Sequence, residues 1–181
     1  MVKRSKGDSV RGFEAVFSRV IDHEGLFQND KNDRGNWTSG KIGVGDLNGT
    51  KYGISAMSYP HLDIKSLTID DAMAIYRRDW WEVLKLDRFH DSLSFQIFDA
   101  AINHGMRAAI KMIQYMAGAK VDGYIGPATI KAVEKISRED APILFVAARI
   151  EFYTRIDTFT IYGRGWMNRI AQNLKYIAED N

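Results

Sequence analysis

Phe13-Glu14-Ala15-Val16-Phe17-Ser18-Arg19-Val20-Ile21-Asp22-His23-Glu24-Gly25 is the stretch from which the rest of the chain is read. At about 100° per residue, Phe13, Val16, Phe17, Val20 and Ile21 share one stripe of a helix, and Glu24 falls near the middle of it. An acid stands where the pattern calls for an aliphatic. The expectation is a helix over 13–24, capped at its start by Asp8 or Ser9 and stopped by Gly25. Its last turn then carries a carboxyl against apolar neighbours, and desolvation favours the protonated form of such a group. The competing reading is an exposed glutamate at a helix end, which is common on protein surfaces.

Beyond Gly25 the chain turns polar and glycine-rich, with seven of its fifteen glycines between Gly25 and Ile54. Asp33-Arg34-Gly35-Asn36, Thr38-Ser39-Gly40 and Leu47-Asn48-Gly49-Thr50 read as turns, and Asn-Gly is a strong hairpin cue. Strands are expected over 41–44 and 51–54. From Thr68 the pattern is helical: Thr68 and Asp71 have capping-box spacing, with Met73, Tyr76, Trp80 and Val83 following. Further helices are expected over 93–104, ended by Gly105, and over 108–117, ended by Gly118. Pro127 suits the first turn of a helix to about 136, and two more are expected over 142–158 and 166–178. The fold class is therefore α+β, mainly α, with a helical body and a small β-hairpin lobe over residues 25–59 of a single domain, 1–181.

Composition narrows the function classes. The 181 residues are 45% hydrophobic and 27% charged with a net charge of +2, ordinary values for a globular chain that suit an anionic polymer without requiring one. There is no cysteine, so neither a disulfide framework nor a thiolate metal site is available. The basic start lacks an apolar run behind it, and no stretch approaches the ~18 apolar residues of a membrane span. A chain made in the cytoplasm without a signal peptide is expected. His23, His61, His90 and His104 are scattered and no His-Glu-x-x-His occurs, which disfavours a zinc peptidase or amidase. Neither a glycine-rich phosphate loop nor a serine or cysteine nucleophile motif is present, and no cofactor or metal is implied.

Several motifs in order resemble the lysozyme-like N-acetylmuramidases of glycoside hydrolase family 108, which include phage endolysins. They are Glu24-Gly25-Leu26, Asn29-Asp30, Asp33, Gly35-Asn36 and Thr50-Lys51-Tyr52-Gly53-Ile54. In the second half they are Phe98 to Gly105, Gln114, Asp122-Gly123-Tyr124-Ile125-Gly126-Pro127-Ala128-Thr129, and Gly165 to Arg169. The likeness runs from about Phe13 to Tyr176, and residues 93–178 resemble the family's C-terminal peptidoglycan-binding segment. Departures are Leu26 in place of a second glycine, Lys31 and Arg34 in place of prolines, and about a dozen extra residues, 37–49, before Thr50.

The resemblance implies hydrolysis of the β-1,4 bond between N-acetylmuramic acid and N-acetylglucosamine in peptidoglycan, with Glu24 as general acid. Such chemistry also needs a group that manages the attacking water. Asp33, nine residues after Glu24, Asp30 and Thr50 are the candidates; the bland alternative for both aspartates is turn formation. Tyr52 and Asn103 are candidate sugar contacts, through an aromatic face and an amide. Trp80, Trp81 and Trp166 read as core. The last helix, with Trp166, Ile170, Leu174 and Ile177 on one side, is either a core helix or a weak membrane contact. The alternatives kept beside hydrolysis are a lytic transglycosylase and a non-catalytic wall-binding protein. The partners implied are glycan strands, not nucleic acid, for a monomer released by a separate holin to act in the periplasm and lyse a host.

Overall fold

The computed structural model describes residues 12–21 and 26–180. The carboxyl of Glu24, its stop Gly25 and the proposed caps Asp8 and Ser9 lie outside the described residues. Seven α-helices are described: α1 (Gly12–Ile21), α2 (Ile69–Tyr76), α3 (Asp91–His104), α4 (Met106–Met116), α5 (Pro127–Val133), α6 (Asp140–Thr154) and α7 (Phe159–Asp180). Two short strands, β1 (Thr50–Lys51) and β2 (Ile54–Ser55), pair antiparallel with Thr50 opposite Ser55 and Lys51 opposite Ile54. The mainly helical α+β class expected from the sequence is the one observed. The chain divides into two compact units, Phe17–Arg78 and a larger one built from residues 12–16 and 79–180, with one boundary inside α1.

In the smaller unit, Phe17 and Val20 of α1 are buried, and Phe17 packs against Tyr76 of α2 with ring centroids 5.8 Å apart. Thr68 caps α2 as expected: its hydroxyl accepts from Asp71 N, and the Asp71 carboxylate accepts in return from Thr68 N at 2.8 Å. That exchange holds the exposed Asp71 carboxyl below its usual range, chiefly through the Thr68 side chain.

Two expectations in the lobe are corrected. Residues 41–44 are not a strand but a turn closed by Val44 N donating to Lys41 O, with Ile42 and Val44 exposed. The β1–β2 turn is made not by Asn48-Gly49 but by Tyr52-Gly53, both at positive φ, 51° and 75°, as a tight primed turn requires. Gly49 has another task. At φ 82° it lies so close to Gln28 that an added Cβ would sit 2.5 Å from the Gln28 carbonyl oxygen.

In the larger unit α3 is the central helix, buried continuously from Ser92 to Ala101. Phe13, Trp81 and Phe98 form an edge-to-face cluster with centroids 5.2–6.2 Å apart. Gly105, at φ 84°, ends α3 as expected and lets α4 start at once. A second cluster of Val146, Tyr153, Ile170 and Ile177 joins α6 to α7.

Helix ends depart from the expected limits in instructive ways. α7 starts at Phe159, earlier than expected, because Gly163 costs helix propensity but admits the Phe159 ring, 3.0 Å from where a Cβ would stand. α5 stops at Val133 and α6 at Thr154. Trp81 is core, and Trp166 is half-buried and stacks on Tyr153 at 4.8 Å; Trp80 is only half-buried. Ile170 and Ile177 are buried in the larger unit, whereas Leu174 is 41% exposed. No helix of the described residues is long and apolar enough to cross a membrane.

Candidate active site and a second polar centre

The lobe is organised around Asn36, which is fully buried. Its Nδ2 donates to Gln28 Oε1 at 2.8 Å and to Asp30 O at 2.9 Å; its Oδ1 accepts from Thr50 Oγ1 at 2.7 Å and from Gln28 Nε2 at 3.1 Å. Its carbonyl accepts from Asn48 N and Gly49 N. Every polar atom of this side chain is satisfied, as burial demands.

This amide gathers Asp30 and Thr50, and Gln28, bonded to it, reaches Asp33. Asp33 caps the 3-10 turn Arg34–Asn36, its Oδ1 accepting from Gly35 N at 2.9 Å and its Oδ2 from Gln28 Nε2 at 3.3 Å. Asp30 Oδ1 accepts from the backbone and side-chain nitrogens of Asn32. Both aspartates are exposed and both make turn bonds. Thr50 commits its only hydrogen to Asn36, so what its hydroxyl offers a further molecule is a lone pair. Gln28 and Thr50 exchange both backbone bonds at 2.8 and 2.9 Å, fixing Thr50 against the segment that follows Glu24 in sequence.

The extra residues before Thr50 do not displace it. Trp37 and Leu47 form an antiparallel bridge, and Thr38 N donates to Asp46 O at 3.0 Å, so the segment closes on itself. Asn48 then returns to Asn36. The excursion leaves the Asn36–Thr50 bond intact.

Tyr52 occupies the hairpin turn. Its carbonyl accepts from Tyr76 OH at 3.1 Å, and the Lys51 ammonium lies 5.3 Å from its ring centroid. Asn103 belongs to the larger unit, exposed in the last turn of α3, where its Nδ2 donates to Asp99 O at 2.7 Å.

The larger unit holds a polar centre that sequence reasoning did not assign a role. Asp99, 1% exposed, receives Arg149 Nη1 at 2.5 Å, Arg169 Nη2 at 2.6 Å and Asn173 Nδ2 at 3.0 Å, so that one carboxylate ties α3 to α6 and α7. Burial alone would raise its pKa; the two guanidiniums outweigh that and hold it at about 2. Arg149 Nε donates to Tyr153 OH at 2.9 Å, and that hydroxyl is 2.7 Å from His104 Nε2. Arg149 Nη2 faces the same His104 Nε2 at 3.3 Å, and since an arginine can only donate, a neutral ring that accepts there carries its proton on Nδ1. Burial, reinforced by the Arg149 charge, pushes the His104 pKa down to about 4. The signals in sequence were an acid between Phe98 and Ala100 of α3 and the two arginines, separated from it by 50 and 70 residues.

The Asp122–Thr129 motif folds onto α4. Gln114 Nε2 donates to Asp122 Oδ1 at 2.8 Å and to Tyr124 O at 3.0 Å, and Gly123 N donates to Gln114 Oε1 at 2.8 Å. A buried glutamine thus clamps the loop through both ends of its amide.

Comparison with known proteins places this architecture. Residues 17–105 match the family model described as Glycosyl hydrolase 108, and residues 108–171 match the one described as Predicted Peptidoglycan domain. Among solved structures, Brucella abortus SagA is similar at 25% identity over 93% of this chain and 95% of that one, with a TM-score of 0.74. No curated protein matches the sequence. The chain thus carries a glycosyl hydrolase 108 segment over residues 17–105, followed by a predicted peptidoglycan domain over residues 108–171. It is a glycoside hydrolase, a muramidase that degrades peptidoglycan.

Proposed function

We propose that this muramidase is a phage endolysin that cleaves the β-1,4 bond between N-acetylmuramic acid and N-acetylglucosamine, with Glu24 as general acid. The observation that carries the reading is the buried stripe of α1. Phe13, Val16, Phe17 and Val20 are at most 3% exposed, and in the sequence Glu24 has the spacing of that same stripe. A carboxyl held against such apolar neighbours would keep a proton to give.

In the proposed reaction Glu24 protonates the glycosidic oxygen as its bond to the muramic acid C1 breaks. A water attacks C1 and surrenders a proton to a carboxylate, leaving a reducing end and a free 4-hydroxyl. Asp33 is the proposed base. Thr50, with only a lone pair to offer, accepts a hydrogen from that water and orients it; Asp30 is tied to Thr50 through Asn36. A separation of roughly 6.5–9.5 Å between the two carboxyl groups goes with this water-mediated, inverting course, and ~5–5.5 Å with a covalent intermediate. Tyr52 supplies a ring face, and Asn103 an amide oxygen for an N-acetyl N–H, its own NH2 being engaged by Asp99 O.

The test is the mass of the muropeptides released from purified sacculi. Products one water heavier than the anhydro form, ending in reducing muramic acid, support hydrolysis; anhydro ends indicate a transglycosylase, and binding without release indicates a wall-binding protein. Host lysis through a holin belongs to the same proposal and requires that lysis from within the cell depend on co-expressed pore protein.

A further inference from the structure

A cleft of about 500 Å³ runs between α4 and α6 in the larger unit, outside the glycosidase machinery. Met112, Ala148 and Phe152 form its apolar base; Arg107, Lys111 and Arg155 contribute three cations. Its acid is Glu151, and that carboxylate is already engaged, accepting from Tyr115 OH at 2.8 Å and lying 3.5 Å from Arg155 Nη2. His104, whose pKa burial and the Arg149 charge push down to about 4, adds no charge at neutral pH. Among the described residues neither Arg107 nor Lys111 has an ion-pair partner.

The loop clamped by Gln114 shapes this cleft. Val121 lines it, and Gly123, at φ 78°, lets the stems of Arg107 and Lys111 pass: a Cβ there would stand 3.1 Å from Arg107 Cγ and 3.5 Å from Lys111 Cε. The Asp122-Gly123-Tyr124 motif therefore has a local purpose that glycan hydrolysis does not use. Such a volume holds a small ligand or a few residues of peptide.

Three cations around an apolar floor do not match a glycan strand, which is neutral once its lactyl group is amidated. They match the other half of the polymer. Resting on the reading of the chain as a peptidoglycan enzyme, we propose that this cleft binds the peptide stem, Arg107, Lys111 and Arg155 taking its carboxylates and the apolar floor its alanine methyls. Arginine–carboxylate pairs give direction as well as charge, so the cleft would anchor a stem while the neighbouring sugar chain is cut.

The experiment is calorimetric titration of the full chain with the free tetrapeptide L-Ala-γ-D-Glu-diaminopimelate-D-Ala, and with the same peptide amidated at its carboxylates. Saturable binding of the acid form is expected, weakened about tenfold by amidation or by Arg107→Gln with Lys111→Gln, and weakened by added salt. Equal binding of both peptides, no saturable binding, or unchanged affinity in the folded double variant overturns the proposal. The amidated arm needs no variant. Cleavage of stem-free glycan strands by the wild-type chain checks the glycosidase reading separately: cutting without peptide binding refutes the stem site alone, and peptide binding without cutting refutes the glycosidase reading alone.

Discussion

Replacing Asp99 by Asn removes one negative charge at nearly constant volume from a site where the side chains of Asp99 and Arg149 are 2% and 0% exposed. Arg149 is then left buried without its counter-charge, and breaking a pair in this way costs roughly 3–5 kcal/mol. The depressed carboxyl pKa of about 2, against an ordinary 3.8, points the same way. A shift of that size corresponds to about 2 kcal/mol of stabilisation by the ionised form. Because the folded pKa is the lower one, this stabilisation is fully present above about pH 4 and disappears as pH falls through about 2. The assay is urea unfolding followed by tryptophan emission, which mainly reports the larger unit since Trp80, Trp81 and Trp166 lie there. With a slope of about 2 kcal/mol per molar, the Asp99→Asn midpoint should fall by about 2 M at pH 7, and the gap should narrow towards pH 2. Arg155→Ala is the control: its pair with Glu151 joins side chains 68% and 50% exposed, and such pairs contribute less than about 1 kcal/mol. A loss below about 1 kcal/mol for Asp99→Asn, similar to the control, would refute the view that α3, α6 and α7 are tied by an unscreened charge cluster.

Other outcomes follow from the same geometry. Gly49→Ala should destabilise the lobe by at least about 1 kcal/mol, because both φ and the Gln28 carbonyl oppose a Cβ; a proteolysis rate equal to wild type within the lobe would contradict this. His104 has a folded pKa near 4, so its ring signals should not titrate between pH 7.5 and 5, and this buried neutral ring should favour folding less and less as pH drops from about 6.5 to 4; a ring titrating near 6.5 in nuclear magnetic resonance would refute its burial as neutral. Thr50→Val should keep the fold of the larger unit yet lower cell-wall cleavage by about a hundredfold if its hydroxyl holds the attacking water; wild-type turnover on sacculi would remove Thr50 from the reaction.

What was legible in the sequence had a local physical cause. Thr68 with Asp71, Gly105 after α3 and Pro127 at the first turn of α5 each announce an element through a cap, a positive φ or a missing N–H. The α1 stripe was equally plain. The lobe was harder, because glycine marks a turn and a close approach alike: Gly49 serves Gln28, while the reversal falls on Tyr52, a residue that rarely adopts positive φ. Residues 41–44 carry two aliphatics that periodicity reads as strand, yet both are exposed in a turn. The Asp99 centre could not be read as a site, since its partners lie 50–74 residues away in sequence and only packing brings them together. Among the expected catalytic groups, Asp30 and Thr50 share one amide, Asn36, and Asp33 joins them through Gln28, an organisation no spacing rule signalled.

The most direct measurement is the turnover of Glu24→Gln against wild type on purified peptidoglycan, both proteins matched by circular dichroism and by urea midpoint. An amide cannot give up the proton that the leaving oxygen needs, so release of reducing ends should fall by two to four orders of magnitude, about the whole contribution of a general acid, with binding to sacculi kept. Release at the wild-type rate would contradict the assignment of Glu24 and, with it, the proposed chemistry.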